Sequence, residues 1–126
     1  MWIWIFIGVI AVSFAYIQLA PSDPKRWHKD VTAVENKDLA RGAVRIVDAD
    51  LAALDAVIRN SGAKVLSGSV EAGHISYISR TRLAGFPDYV TVQEVDGKLR
   101  IFSRLRFGQS DLGVNKRRVE GWLSKL

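Results

Sequence analysis

The chain has 126 residues, 18 lysines and arginines against 13 aspartates and glutamates, a formal charge of +5, and no cysteine. That length leaves room for one domain. The missing cysteines exclude a disulfide framework, a thiol nucleophile and a thiolate metal site, and the apolar content excludes a disordered chain.

The charge is unevenly spread. Residues 1–20 hold no charged side chain, and only Gly8, Ser13 and Gln18 interrupt their apolar run. As a helix, Trp2 to Ala20 spans roughly 28 Å at about 1.5 Å per residue. It has no polar face to make it a core helix, and Pro21 ends it because proline cannot continue the hydrogen-bond ladder. Trp2 and Trp4 at one end and Trp27 beyond the other suit two interfacial belts, with Lys25, Arg26 and Lys29 placed to snorkel to head groups. A cleaved signal peptide is the competing reading. The run lacks a basic amino-terminal region and an A-x-A site before Pro21, so an uncleaved anchor over residues 1–20 is expected. Lys25, Arg26, Lys29 and Lys37 come after the span, which by the positive-inside rule favours a cytoplasmic domain.

Residues 21–42 read as a juxtamembrane linker, in which Asp23 is placed to cap a short helix with Pro24 at its first position. An α+β domain is expected over 43–126. Ala43–Val47 reads as a strand. Asp48 reads as the N-cap of a helix with Asp50 in its first turn, and Leu51, Leu54, Val57 and Ile58 share one face before the Asn60-Ser61-Gly62 stop. The period then changes to two. Lys64–Ser69, His74–Arg82, Tyr89–Val95 and Lys98–Phe107 are strand candidates, with Asp96-Gly97 as a hairpin turn. A last helix is expected from about Asn115, with Val119, Trp122, Leu123 and Leu126 in one stripe. The expected architecture is one amino-terminal transmembrane helix and then a small antiparallel sheet of four to five strands flanked by two helices.

Catalytic signals are sparse. His28 and His74 lie on different elements without a second histidine at ligand spacing, so neither a metal nor another cofactor is expected. There is no G-x-S-x-G elbow and no glycine-rich phosphate loop. A serine hydrolase would need Ser103 or Ser110 to meet His74.

The informative pattern is basic. Residues 76–126 carry ten cations against five acids. Lys98, Arg100, Arg104 and Arg106 alternate with Leu99, Ile101, Leu105 and Phe107, which puts the cations on one face of a strand. Arg80 and Arg82 share a face of another. Lys116-Arg117-Arg118 opens the last helix, where the positive end of the dipole disfavours cations. One reading is a solvated face whose arginines pair with Asp88, Glu94, Asp96 and Asp111. The other is an anion site built from Arg80, Arg82, Arg104, Arg106, Ser110, Asn115, Lys116, Arg117 and Arg118 for a lipid head group, phosphate or acidic partner. Nucleic acid is not expected, since Phe102 is the one aromatic among the strand arginines.

Four strings carry a resemblance: Ala20-Pro-Ser-Asp-Pro-Lys-Arg-Trp-His28, Gly68-Ser-Val-Glu-Ala-Gly-His74, Phe86-Pro-Asp-Tyr89, and Ser103-Arg-Leu-Arg-Phe-Gly-Gln-Ser-Asp-Leu-Gly-Val-Asn115. From about residue 20 to its end the chain resembles domain-of-unknown-function family 1499. The resemblance brings no reaction with it. It implies a bacterial or plastid-type protein, often exported, and so favours a periplasmic domain at the cell inner membrane over the cytoplasmic side. Physically, Gly85 and Gly108 suit turns with positive φ, and Pro87 suits the start of a strand. Ser110 or Asp111 can cap a turn before the last helix, with Asn115 as a second capping candidate. The functional alternative makes Ser103, Arg104, Arg106, Ser110, Asn115 and Arg118 the rim of one polar site.

The leading expectation is a non-enzymatic single-pass membrane protein with an interaction domain, an accessory subunit of a larger membrane complex in contact with lipids and a membrane-protein partner. An arginine-face anion or head-group binder comes second, and the hydrolase third.

Overall fold

A computed structural model describes residues 1–82 and 84–126. The uncharged start forms α1 (Trp2–Leu19), none of whose residues is buried. By length and composition it is apolar enough to cross a membrane. After Pro21, the Asp23 carboxylate accepts the Lys25 N–H at 3.0 Å and caps the one-turn α2 (Pro24–Trp27). Six strands come next: β1 (Lys37–Leu39), β2 (Gly42–Val47), β3 (Lys64–Ser69), β4 (His74–Arg80), β5 (Pro87–Val95) and β6 (Lys98–Leu105). They form one antiparallel sheet in the order β1-β2-β6-β5-β4-β3. Helix α3 (Leu51–Asn60) joins β2 to β3, and α4 (Val114–Leu123) comes after β6.

The α+β expectation holds, with six strands where four or five are expected. The additional strand is β1, whose three residues are all exposed and so present no alternation to detect. The cap of α3 is also corrected. Asp50, not Asp48, accepts the Ala53 N–H at 3.0 Å, because a capping carboxylate reaches only the N2 or N3 amide. Between β5 and β6, Asp96 and Gly97 both take positive φ, 54° and 78°, as a two-residue hairpin turn requires.

The two faces of the sheet are covered differently. On one, Ile75, Tyr77, Val90, Val92, Leu99 and Ile101 pack against Leu51, Leu54 and Ile58 of α3 and Val119 and Trp122 of α4. On the other, no long helix sits among the described residues. Residues 20–31, which the sequence presents as linker, run across it instead. Ala20, Trp27 and Val31 are buried there, and Trp27 stacks flat on Tyr89 with ring centroids 3.9 Å apart. Trp27, expected in an interfacial belt, is covered within the fold, with 9% of its surface exposed. This second layer explains why Pro87–Val92 are buried on both sides of the sheet, unlike an antiparallel strand with one wet face.

Candidate anion-binding groove

Alternation along β6 turns Ser103 and Leu105 towards the helices and Arg100, Phe102 and Arg104 towards the 20–31 segment. There the arginines meet backbone carbonyls in chain order. Arg80 donates to Gln18 O at 3.2 Å, Arg106 to Pro21 O at 2.7 Å, Arg104 to Trp27 O at 2.5 Å and Arg100 to Val31 O at 3.0 Å. None of the four is in an ion pair among the described residues. The expected pairing with Asp88, Glu94, Asp96 and Asp111 is thus absent. Asp88 faces α4, and the segment covers the arginines with carbonyls that carry only partial charge.

The charge left unmatched collects in a groove of about 480 Å³ lined by Arg26, Trp27, Lys29, Asp30, Arg41, Thr91, Phe102, Arg104 and Leu105. Four cations face one acid. Arg26 lies over the Trp27 ring at 4.6 Å and Arg104 over the Phe102 ring at 4.8 Å. Burial pushes the Arg104 guanidinium down to about 10, because desolvation disfavours the charged form. The Trp27 indole N–H is buried without an acceptor among the described residues. A desolvated cation without a carboxylate, beside three others, is electrostatically incomplete.

Next to the groove, His28 Nδ1 lies 2.7 Å from Ser76 Oγ, which is 2.8 Å from Thr91 Oγ1, and Thr91 accepts from Arg104 at 2.8 Å. The His28 ring stacks on His74 with centroids 3.9 Å apart. Burial first, then the charges of His74 and Arg104, hold His28 below its ordinary range against the pull of Asp30. Ser76 is fully buried, so this serine–histidine pair fastens the segment to β4 and presents no nucleophile. Gly68 makes the stack possible. At φ +89° a Cβ would collide with His74 O and stand 2.9 Å from His28 Cε1.

The remaining residues of the expected site lie on the opposite face. Arg118 pairs with Asp88 at 2.9 Å and donates to Asn115 Oδ1 at 2.7 Å. Ser103 donates to the same Oδ1 at 2.5 Å. Burial raises the Asp88 carboxyl against the pull of Arg118. Asp111 accepts the N–H groups of Gly113 and Asn115 at 2.9 and 3.1 Å and so braces the turn into α4, whose N-cap is Gly113, while Ser110 accepts the Leu112 N–H at 3.3 Å. Lys116 pairs with Asp38 at 3.1 Å and Arg117 donates to Leu112 O at 3.1 Å. Successive helix residues diverge by about 100°, so the Lys116-Arg117-Arg118 triplet splits three ways.

The single polar rim expected from sequence therefore divides. Ser103, Asn115 and Arg118 meet beside α4, while Arg104 and Arg106 point through the other face. Arg80, Arg82 and Arg118 line a second groove of about 520 Å³, but there Arg118 is matched by Asp88 and Arg80 is bonded to the Gly85 and Gln18 carbonyls. The serine–histidine pairs expected for a hydrolase do not meet: His74 Nε2 lies 3.0 Å from Lys29 O on the segment side, Ser103 faces α4 and donates to Asn115, and Ser110 accepts the Leu112 N–H. Sequence reasoning missed Arg26 as a groove residue, and Lys29 and Arg41 with it. Three separate stretches bring them together, and only the Arg-Trp pair inside a family string pointed there.

The family model for DUF1499, described as a protein of unknown function, matches residues 17–126. The chain belongs to the DUF1499 family. No curated protein matches it. Within this DUF1499 domain the four family strings touch one another. Ser22 Oγ is 2.6 Å from the Tyr89 hydroxyl, Trp27 stacks on Tyr89, Gly68 lies against His28 and His74, and Arg106 donates to the Tyr89 hydroxyl at 3.1 Å.

Proposed function

We propose that this DUF1499 protein is a single-pass inner-membrane protein, retained through α1, whose domain binds a phosphate-type oxyanion in the groove centred on Arg104. The observation that carries the reading is Arg104 itself, partly buried and in no ion pair among the described residues, beside Arg26, Lys29 and Arg41. An oxyanion supplies the missing countercharge, and guanidinium forks suit its geometry. The ligand is a free phosphate or a lipid head group. The family resemblance supports placing the domain on the periplasmic side. A protein-docking accessory subunit has less support. Beyond Met1 and α1 the exposed large apolar side chains among the described residues are Val34, Leu39, Val65, Leu112 and Leu126, single residues from separate segments, where a protein interface needs a contiguous patch.

The test is calorimetry on the full chain in mild detergent with inorganic phosphate and, separately, short-chain phosphatidylglycerol. Lys29→Gln and Arg41→Gln, which remove rim cations, are each expected to weaken binding about tenfold, the loss of one charged hydrogen bond. Arg104→Lys keeps the charge and loses the fork. Affinities equal to the parent in all three variants, or no binding by the parent, would overturn the proposal.

A further inference from the structure

We infer that the end of the sheet beside α1 rests on the bilayer surface, with Leu112 inserted among the upper acyl chains. This depends on α1 being a retained anchor, but concerns a different surface from the anion groove.

Three observations converge on that end. First, the last turn of α1 is fastened to it. Tyr16 meets Phe107 edge to face at 6.1 Å, Gln18 Nε2 donates to Ala84 O, and Arg80 and Arg106 hold the carbonyls of Gln18 and Pro21. Tyr16 lies three residues inside the helix end, so Phe107 sits about 4–5 Å below it, at interfacial depth. Second, the 18 residues of α1 span about 27 Å, a little short of a hydrocarbon core of about 30 Å. A short span draws its flanking residues into the interface, and here those residues are bonded to the sheet. Trp2 and Trp4, 81% and 74% exposed, suit the opposite interface.

Third, the loop after β6 carries an apolar side chain that the fold does not use. Leu112 is 82% exposed and holds φ at 53°, in the left-handed region, a costly conformation for a leucine. It shares an apolar groove of about 210 Å³ with Phe86 and Phe107. Arg117, which donates to Leu112 O, accompanies it, and the acid of this loop, Asp111, is occupied by the Gly113 and Asn115 amides at the start of α4. An exposed apolar tip beside an arginine, close to the helix end, matches a lipid surface, whose interior takes the leucine and whose phosphates take the arginine.

The test exploits the absence of native cysteine. Leu112→Cys, Phe14→Cys and Val34→Cys are labelled with an environment-sensitive fluorophore in the full chain and reconstituted into phosphatidylcholine–phosphatidylglycerol vesicles with lipids brominated at shallow or deep positions. The Leu112 label is expected to lose about half of its emission to shallow bromines and the Phe14 label to be quenched by deeper ones. The Val34 label, in a loop away from α1, should be unaffected. Quenching at Phe14 with none at Leu112 overturns the inference and leaves the anchor standing. A Leu112 label that is blue-shifted but unquenched reports a protein partner and also overturns it. No quenching at Phe14 overturns the anchor and the inference together.

Discussion

Asp88 and Arg118, with side chains 3% and 11% exposed, share one ion pair between β5 and α4. Removing one partner of such a pair leaves a buried charge, at a typical cost of about 3–5 kcal/mol. Arg118→Met is expected to lose stability of that order in urea unfolding, and adding Asp88→Asn should recover much of it, since the neutral amide no longer needs a cation. Unequal slopes between the curves would instead signal a change in the unfolded state. This cluster is partly legible in the sequence. Ser103 lies near the end of β6 and Asn115 in the first turn of α4, so chain order implies their proximity. The partner across the sheet is not legible. Asp88 lies 30 residues from Arg118, and alternation alone does not say which face of β5 it shares, so on sequence it groups with the strand arginines.

Between elements, the contact of most consequence ties the 20–31 segment to the β3–β4 hairpin through His28, Ser76 and His74. His28 is held below its ordinary value of 6.5, so the folded chain prefers it neutral. As the pH falls below about 6.5, the unfolded chain takes up that proton first, and stability is lost until the folded value is passed. Above 6.5 the contribution is complete. The melting temperature is expected to drop between about pH 7.5 and about pH 5.5, and to drop less in His28→Asn or in His74→Asn, where one of the opposing charges is gone. Circular dichroism of the three proteins at both pH values checks this. An unchanged slope in both variants would count against it. Most elements are readable because alternation, the Asp96-Gly97 turn and the helical stripes obey local periodicity. The covering segment is not. Its anchoring residues, Trp27 and His28, find their partners Tyr89 and Ser76 on strands far along the chain, and two prolines with mixed charges look like linker on any local measure.

For the whole molecule, the folding unit reaches back to the end of α1. A fragment of 43–126 would expose Tyr89, Phe102 and four arginines that now meet carbonyls. It is expected to express as an aggregating or molten species, whereas 20–126 should give a dispersed amide spectrum, measured by two-dimensional NMR. A well-dispersed 43–126 spectrum would refute the two-layer account. The family match, which begins at residue 17, agrees with the longer boundary. The charge arithmetic directs attention to the last third of the chain, and Arg104 does lie there. Its cationic neighbours Arg26, Lys29 and Arg41 come from residues 21–45, where six cations are partly offset by four acids in sequence and not in space.

The row of arginines gripping carbonyls from Gln18 to Val31 also sets a distance. A free tether of the 12 residues 20–31 would let the domain wander over about 20 Å. Here the chain is laid down residue by residue, and Arg104 stands only two strand positions, about 7 Å, beyond Arg106 at the helix exit. With α1 in a membrane, this arrangement would hold the groove at a fixed height near the bilayer surface, so that a head-group ligand would be met by lateral search in the membrane plane and a free phosphate by arrival from solution.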